Sequence, residues 1–475
     1  MKRETFLIVC LIFFSQILKA QVNTWTGGAA TTNWEDAGNW TLGVPTAAHD
    51  VSITPLFVVT INAGTNAVCA SVILGNSDLN TDAGATLTID GSNSSNIADL
   101  DGLSMSASQI TNQGDIFIFN SELSGANLFN GSQIHNDGGI IEIQGFAINA
   151  SGESGIDMQS TSQIDNDGTI LIQNNNAQLN SDGCVLSTGC TFNNNMSGVI
   201  EIRTLDGSTS NGFEIYGAMN NSGSLLIEDI LGSDGVICDV GADFLNDGDI
   251  TINNVFNTSM QVGVGSNSFV NNGNISCSVA RFGIIHDFVL TNNGSIDIAS
   301  ISSVGLMSFS DFTNNALAIV DISISTSATV TGWFNGPFTV TNFGNILLSD
   351  LTIGGEVGIE NTGQFNNSTS GIIDINNLNG IGVTNSNMAS SIVNDGLIQL
   401  TNIMNVGVRN RLGTFSNGLT GSLSIEMINI VGGRAIWNHD TFTNDGSIDI
   451  LGSMGRGISE FELTTPTSFT NEGSI

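Results

Sequence analysis

The 475-residue chain is short of positive charge. Lys and Arg number 9 against 44 Asp and Glu, a formal net charge of −35. No lysine follows Lys19, and the remaining cations are Arg203, Arg281, Arg409, Arg411, Arg434 and Arg456. Nucleic acid and anionic membrane surfaces call for clustered positive charge, so both are set aside as partners. Proline is equally scarce, 4 residues beside 57 glycines. Turns are therefore made with Gly, Asn and Asp, which keep the N–H that a hydrogen-bonded ladder uses. Long apolar runs are missing as well: residues 6–14 are too short to span a bilayer, and no later segment is apolar enough.

What the chain has in abundance is one phrase, seen in Phe442-Thr443-Asn444-Asp445-Gly446-Ser447-Ile448-Asp449-Ile450. Its glycine recurs at Gly114, Gly139, Gly168, Gly198, Gly223, Gly248, Gly273, Gly294, Gly344, Gly371, Gly396, Gly421, Gly446 and Gly473, with Ala318 in one copy, at a spacing near 25 residues. Apolar residues follow two and four places later, as in Ile116/Ile118, Ile200/Ile202 and Ile250/Ile252. That alternation predicts a half-buried strand. A second apolar phase precedes the glycine (Ile110, Ile164, Phe244, Phe269, Leu290, Val340, Phe442, Phe469). A third opens on its own glycine upstream, as in Gly102-Leu-Ser-Met105, Gly155-Ile-Asp-Met158, Gly212-Phe-Glu-Ile215 and Gly380-Ile-Gly-Val383.

Three short strands per period, none able to bury itself, are stabilised by stacking copy on copy. The expectation is an all-β fold: a right-handed parallel β-helix, a solenoid of about 25-residue coils. At the ordinary strand spacing of about 4.8 Å, fifteen copies would make a monomeric rod roughly 70 Å long. The Asn two places before the glycine keeps its distance from the apolar corner residue even in the longer corners (Asn194, Asn367, Asn417). It reads as a turn residue whose amide bonds the amides above and below. Length varies mostly within residues 120–131, 173–182 and 376–387, expected as loops on one side where a binding surface would be built.

Residues 1–20 read as a signal peptide: Lys2-Arg3, an apolar run, then Ser15 to Ala20 with Gln21 as the mature start. Residues 21–62 form an N-terminal Trp-rich cap module, and 63–475 the repeats. The chain stops inside a repeat at Ile475, so a fragment lacking a C-terminal sorting or anchoring domain is expected. The module carries Thr24-Trp25-Thr26-Gly27-Gly28, then Asn33-Trp34-Glu35-Asp36-Ala37-Gly38-Asn39-Trp40, then Gly43-Val44-Pro45 leading to Asp50-Val51-Ser52-Ile53. Over these forty or so residues it resembles the opening module of exported, adhesin-like β-helix surface proteins of Bacteroidota-type bacteria. The resemblance implies placement on or outside the cell, not a reaction. Trp34 and Trp40 read as cap packing over the solenoid end, with sugar stacking as the alternative.

Candidate chemistry is sparse. Cys184 and Cys190 could close a small disulfide loop, though their pairing stays open; Cys238 and Cys277 fall in inward phases as small hydrophobes. His49, His135, His286 and His439 lie in different phases and coils, which argues against a histidine metal site or triad. Asp297, Asp321, Asp374 and Asp449, with Glu142 and Glu201, point outward from the strand after the glycine. Asp297 and Asp321 fall on adjacent coils about 5 Å apart. They are a weak calcium candidate beside the plainer reading of a solvated face, and calcium is the one cofactor considered. No Gly-His-Gly and no Arg-x-Lys of the polysaccharide-cleaving β-helices is present. The expected function is therefore non-enzymatic: an acidic, exported surface or extracellular structural and adhesive protein, its partners extracellular glycans or proteins. The alternative is a carbohydrate-binding or polysaccharide-cleaving β-helix with its site in the variable loops.

Overall fold

A computed structural model describes residues 20–94, 100–147, 153–174, 181–263, 265, 267–323, 330–351, 356–427, 432–452, 456–460 and 467–475. The signal-peptide assignment thus lies outside the described residues except for Ala20. Contacts divide the chain into two units, Met1–Ser233 and Asp234–Ile475. Each is a parallel β-solenoid whose coils carry three strands, one per face.

In the first unit the strand after the anchor glycine forms a face of seven described strands, from Asn66–Cys69 to Ser224–Ile230. Register is kept by like residues meeting like. Ile116 lies beside Ile141, then Ile170, Ile200 and Leu225. All five are at most 4% exposed. A one-residue slip would turn every one of them out to solvent, which is why the pattern specifies the pairing. The second unit repeats the arrangement over nine described strands, from Asp249–Val255 to Ser447–Leu451. Its neighbouring face stacks phenylalanines, Phe244 on Phe269 at 5.0 Å and Phe415 on Phe442 at 4.7 Å between ring centroids. Two long strands, Ile381–Asn394 and Val406–Asn417, run through a corner and join two faces.

The corner asparagines are buried and stacked. Asn112 donates to Asn136 Oδ1, Asn136 to Asn166, Asn166 to Asn194 and Asn194 to Asn221, each at 2.8 Å. The same amide nitrogens also reach main-chain carbonyls of the coil beyond, as Asn112 does to Ile140 O at 3.1 Å. In the second unit the column runs from Asn246 through Asn271, Asn292, Asn314, Asn342, Asn367, Asn394, Asn417 and Asn444 to Asn471. The adjoining glycine is required by close approach. A Cβ on Gly139 would sit 2.3 Å from Gly114 O, and one on Gly273 2.0 Å from Gly248 O. Ala318 takes that place in a longer corner, where Leu317 adopts φ 73° and Ala318 N–H bonds Asn315 O at 3.0 Å.

A second column, at another corner of the second unit, went unseen in the sequence. It joins Asn335, Asn361, Asn385, Asn410 and Asn438 through bonds of 2.7–3.2 Å. Ser308 and His286 hold the same register one and two coils earlier. His286 is fully buried between Phe288 O (3.0 Å from Nδ1) and Ser308 Oγ (2.7 Å from Nε2). A carbonyl can only accept, so Nδ1 carries the proton and Nε2 accepts from the serine hydroxyl. Burial depresses the imidazole pKa to about 4.

Three sequence expectations change. The repeat glycine of the 380s is Gly382, not Gly380: Ile359 pairs with Val383, which aligns Gly382 with Gly358. Residues 376–387 are almost wholly strand, since Ile372–Leu378 and Ile381–Asn394 leave only two residues between them. Residues 120–131 likewise contain the strand Ala126–Phe129, and of 173–182 the stretch 175–180 lies outside the described residues. At the N-terminus, Gln21–Thr24 already pairs with His49–Ile53 in the ladder. Trp25 and Trp34 pack edge-on against Trp40, both at 4.8 Å, and Trp40 Nε1 donates to Trp34 O at 2.7 Å. With all three indoles at most 5% exposed, they are packing residues and offer no stacking platform.

Candidate functional site

The face that carries polar clusters is built on a second glycine stack. Gly102, Gly125, Gly155 and Gly183 follow one another in the first unit. A Cβ on Gly155 would meet Ile172 Cγ2 at 2.4 Å and Gly183 O at 2.6 Å. The backbone therefore lies against the core there. The residue just before each glycine, and the one two places after it, become two parallel rows of side chains.

In the first unit these rows hold acids. Asp182 occupies the position before Gly183, and Glu214 the position two after Gly212. Glu214 is close enough to act on the Asp182 carboxyl electrostatically. Burial, opposed by the Asn211 N–H and reinforced by Glu214, holds Asp182 well above the ordinary carboxylate range. Asn211 N–H donates to Asp182 Oδ1 at 2.7 Å and Tyr216 Oη to Glu214 Oε1 at 2.7 Å. Asp157 lies one strand beyond Val185 in the same row, raised by burial.

Over the last described coils of the second unit the same two rows turn cationic, beyond Glu360 and Thr384 in the row of Arg409. Arg434 and Arg456 hold the position before the glycine phase and are register neighbours. Arg409 and Trp437 hold the other row, also as neighbours. The Arg434 guanidinium lies 4.0 Å from the Trp437 ring centroid, and His439 packs 4.6 Å from the same ring. Arg409 Nε donates to Thr384 Oγ1 at 3.0 Å. Burial first, then Arg411, lowers the pKa of Arg409, while Glu360 opposes. Burial and the same three arginines lower that of His439. Among the described residues Arg203 is ion-paired with Glu201 and Glu228, and His135 Nδ1 lies 3.0 Å from Asp165 Oδ2.

Asp297 and Asp321 are adjacent in register, flanked in their row by Ser276 and Leu347. Burial and then Asp297 raise the Asp321 pKa. Among the described residues no three His, Cys, Asp or Glu side chains converge as a metal-binding group. Cys184 and Cys190 are buried free thiols, and Cys238 and Cys277 are buried in the core. The arginine cluster was missed because its members are spread over 48 residues; the signal available was that four of the last six cations fall between 409 and 456. Among the described residues no helix is long and apolar enough to cross a membrane. No known family, curated protein or solved structure matches the chain.

Proposed function

We propose that the protein is an exported structural or adhesive solenoid of the cell surface or extracellular space, acting as a monomer on extracellular glycans or proteins without catalysing a reaction. The observation that carries this is where the polar residues go. The buried asparagines of successive coils bond one another and the backbone, which builds a stiff support, while variation is left to the outward rows. The likeness of the Trp-rich segment to opening modules of exported Bacteroidota-type surface proteins supports the location. Calcium, if used, would sit at Asp297 and Asp321 and borrow most of its six to eight oxygens from water. The test is to express the whole chain in a bacterium that exports it and treat intact cells with protease. Loss of the protein, with no reducing ends or unsaturated products on a polysaccharide panel, is expected. Release of such products would overturn the non-enzymatic reading.

A second reading, polysaccharide cleavage, is favoured by the Asp182–Glu214–Tyr216 group. Its test is activity of the wild type against the Glu214→Gln variant.

A further inference from the structure

We propose that Arg409, Arg411, Arg434 and Arg456 form a binding site for a carboxylate-bearing polysaccharide chain. The proposal rests on the reading above that the solenoid engages extracellular glycans, and it names the site and the chemical class.

The protein has many acids and few cations, yet four of those cations stand on three consecutive coils, Arg409, Arg434 and Arg456 on one face and Arg411 just past the Asn410 corner. Arg434 and Arg456 are cross-strand neighbours, and like charges so placed repel. Arg409 and Arg411 add to the same field. A surface built for stability would set some of the 44 acids against them, as Glu201 and Glu228 are set against Arg203 at 2.9 and 3.1 Å. Among the described residues no carboxylate comes within ion-pair distance of Arg409, Arg411, Arg434 or Arg456. Two features fix guanidiniums in place: Trp437 beneath Arg434, and the Thr384 hydroxyl on Arg409. Orientation without neutralisation is the arrangement that receives an anion.

The fork of a guanidinium matches a carboxylate in a two-point contact. Arginines repeated at the coil spacing suit a chain that presents its carboxylates in series. The overall charge of −35 repels a long polyanion elsewhere, so binding would be confined to this patch and weakened by salt. A second copy of the acidic protein is the competing occupant.

The test uses the full chain, titrated with polygalacturonate and, as a neutral control, pullulan, at low and high salt. Wild type should bind polygalacturonate in a salt-sensitive manner and pullulan much less. The combined Arg411→Gln, Arg434→Gln and Arg456→Gln variant should lose affinity by about tenfold or more for each charge-assisted contact removed. Should that variant melt early, Arg411→Gln carries the test alone, since its side chain is exposed and makes no hydrogen bond among the described residues. Equal binding by wild type and variant overturns the site and leaves the glycan reading standing. Absence of binding to any member of a wider glycan panel overturns both. Self-association of the wild type in sedimentation, lost in the variant and without polygalacturonate binding, assigns the patch to a second copy and overturns the proposal.

Discussion

The same two rows of the repeat carry acids in the first unit and arginines in the second, and the two clusters face one problem: like charges on neighbouring coils. Asp182 and Glu214 solve it internally. A carboxyl can take up a proton, and burial beside a second carboxyl makes that easier by raising the Asp182 pKa. Arginine cannot shed its charge in a protein, so Arg409, Arg434 and Arg456 stay charged, and within the protein their repulsion is countered only at longer range, by Glu360 further along the row of Arg409. An acidic cluster in a solenoid can thus be self-sufficient where a basic one is not. The inward side allows neither escape, and there the chain uses neutral asparagine instead.

The largest test of this contrast puts a charge where nothing can relieve it. Ile250→Asp, at a position 1% exposed between stacked coils, should destabilise by about 4 kcal/mol in a thermal or denaturant melt. An unchanged midpoint would mean that the inward assignment is wrong. Next comes the neutral solution. Asn367→Leu removes the side-chain partner of Asn342 Nδ2, which keeps only Ile372 O, and the Asn367 donor to Asn394 Oδ1, and should cost about 3 kcal/mol.

The titrating groups separate by sign. The folded pKa of His286, about 4, lies below its unfolded value. Its contribution to stability is therefore complete above the unfolded pKa of about 6.5 and is lost as pH falls toward 4, by roughly 3 kcal/mol. Asp182 runs the other way. Its folded pKa is raised, so its contribution is complete below the unfolded value of about 3.9 and is lost as pH rises through the folded pKa. Denaturation midpoints measured from pH 4 to 7 should show Asp182→Asn removing the loss on the alkaline side and His286→Gln removing the loss on the acid side. The smallest effect should be Arg434→Gln, within about 0.5 kcal/mol in stability and toward stabilisation. A large destabilisation there would mean that the arginine is a structural prop, and the contrast with the acid pair would fail.

How much of this was legible depended on whether a feature lies within one coil or across several. The Asn-x-Gly corner, the strand after it and the inward Ile250 and Ile252 are local, so the period exposed them. The second asparagine column was harder to see. Asn335 and Asn361 have a glycine one or two places on, but Asn385, Asn410 and Asn438 have none, and the preceding places in the column are filled by Ser308 and His286. Asp297 beside Asp321 followed from counting coils. Asp182 beside Glu214 did not, because the two occupy different phases.

The sequence by itself determined the periodic architecture: three short strands per 25 residues, an inward and an outward side, and a corner that demands Asn and Gly. These are requirements of one coil on its identical neighbour, so repetition states them many times over. The tertiary structure alone decided which outward residues meet. Coil lengths vary, and hydrogen-bond register rather than residue count brings Arg434 beside Arg456 and Arg409 beside Trp437, while packing buries the three N-terminal indoles against one another.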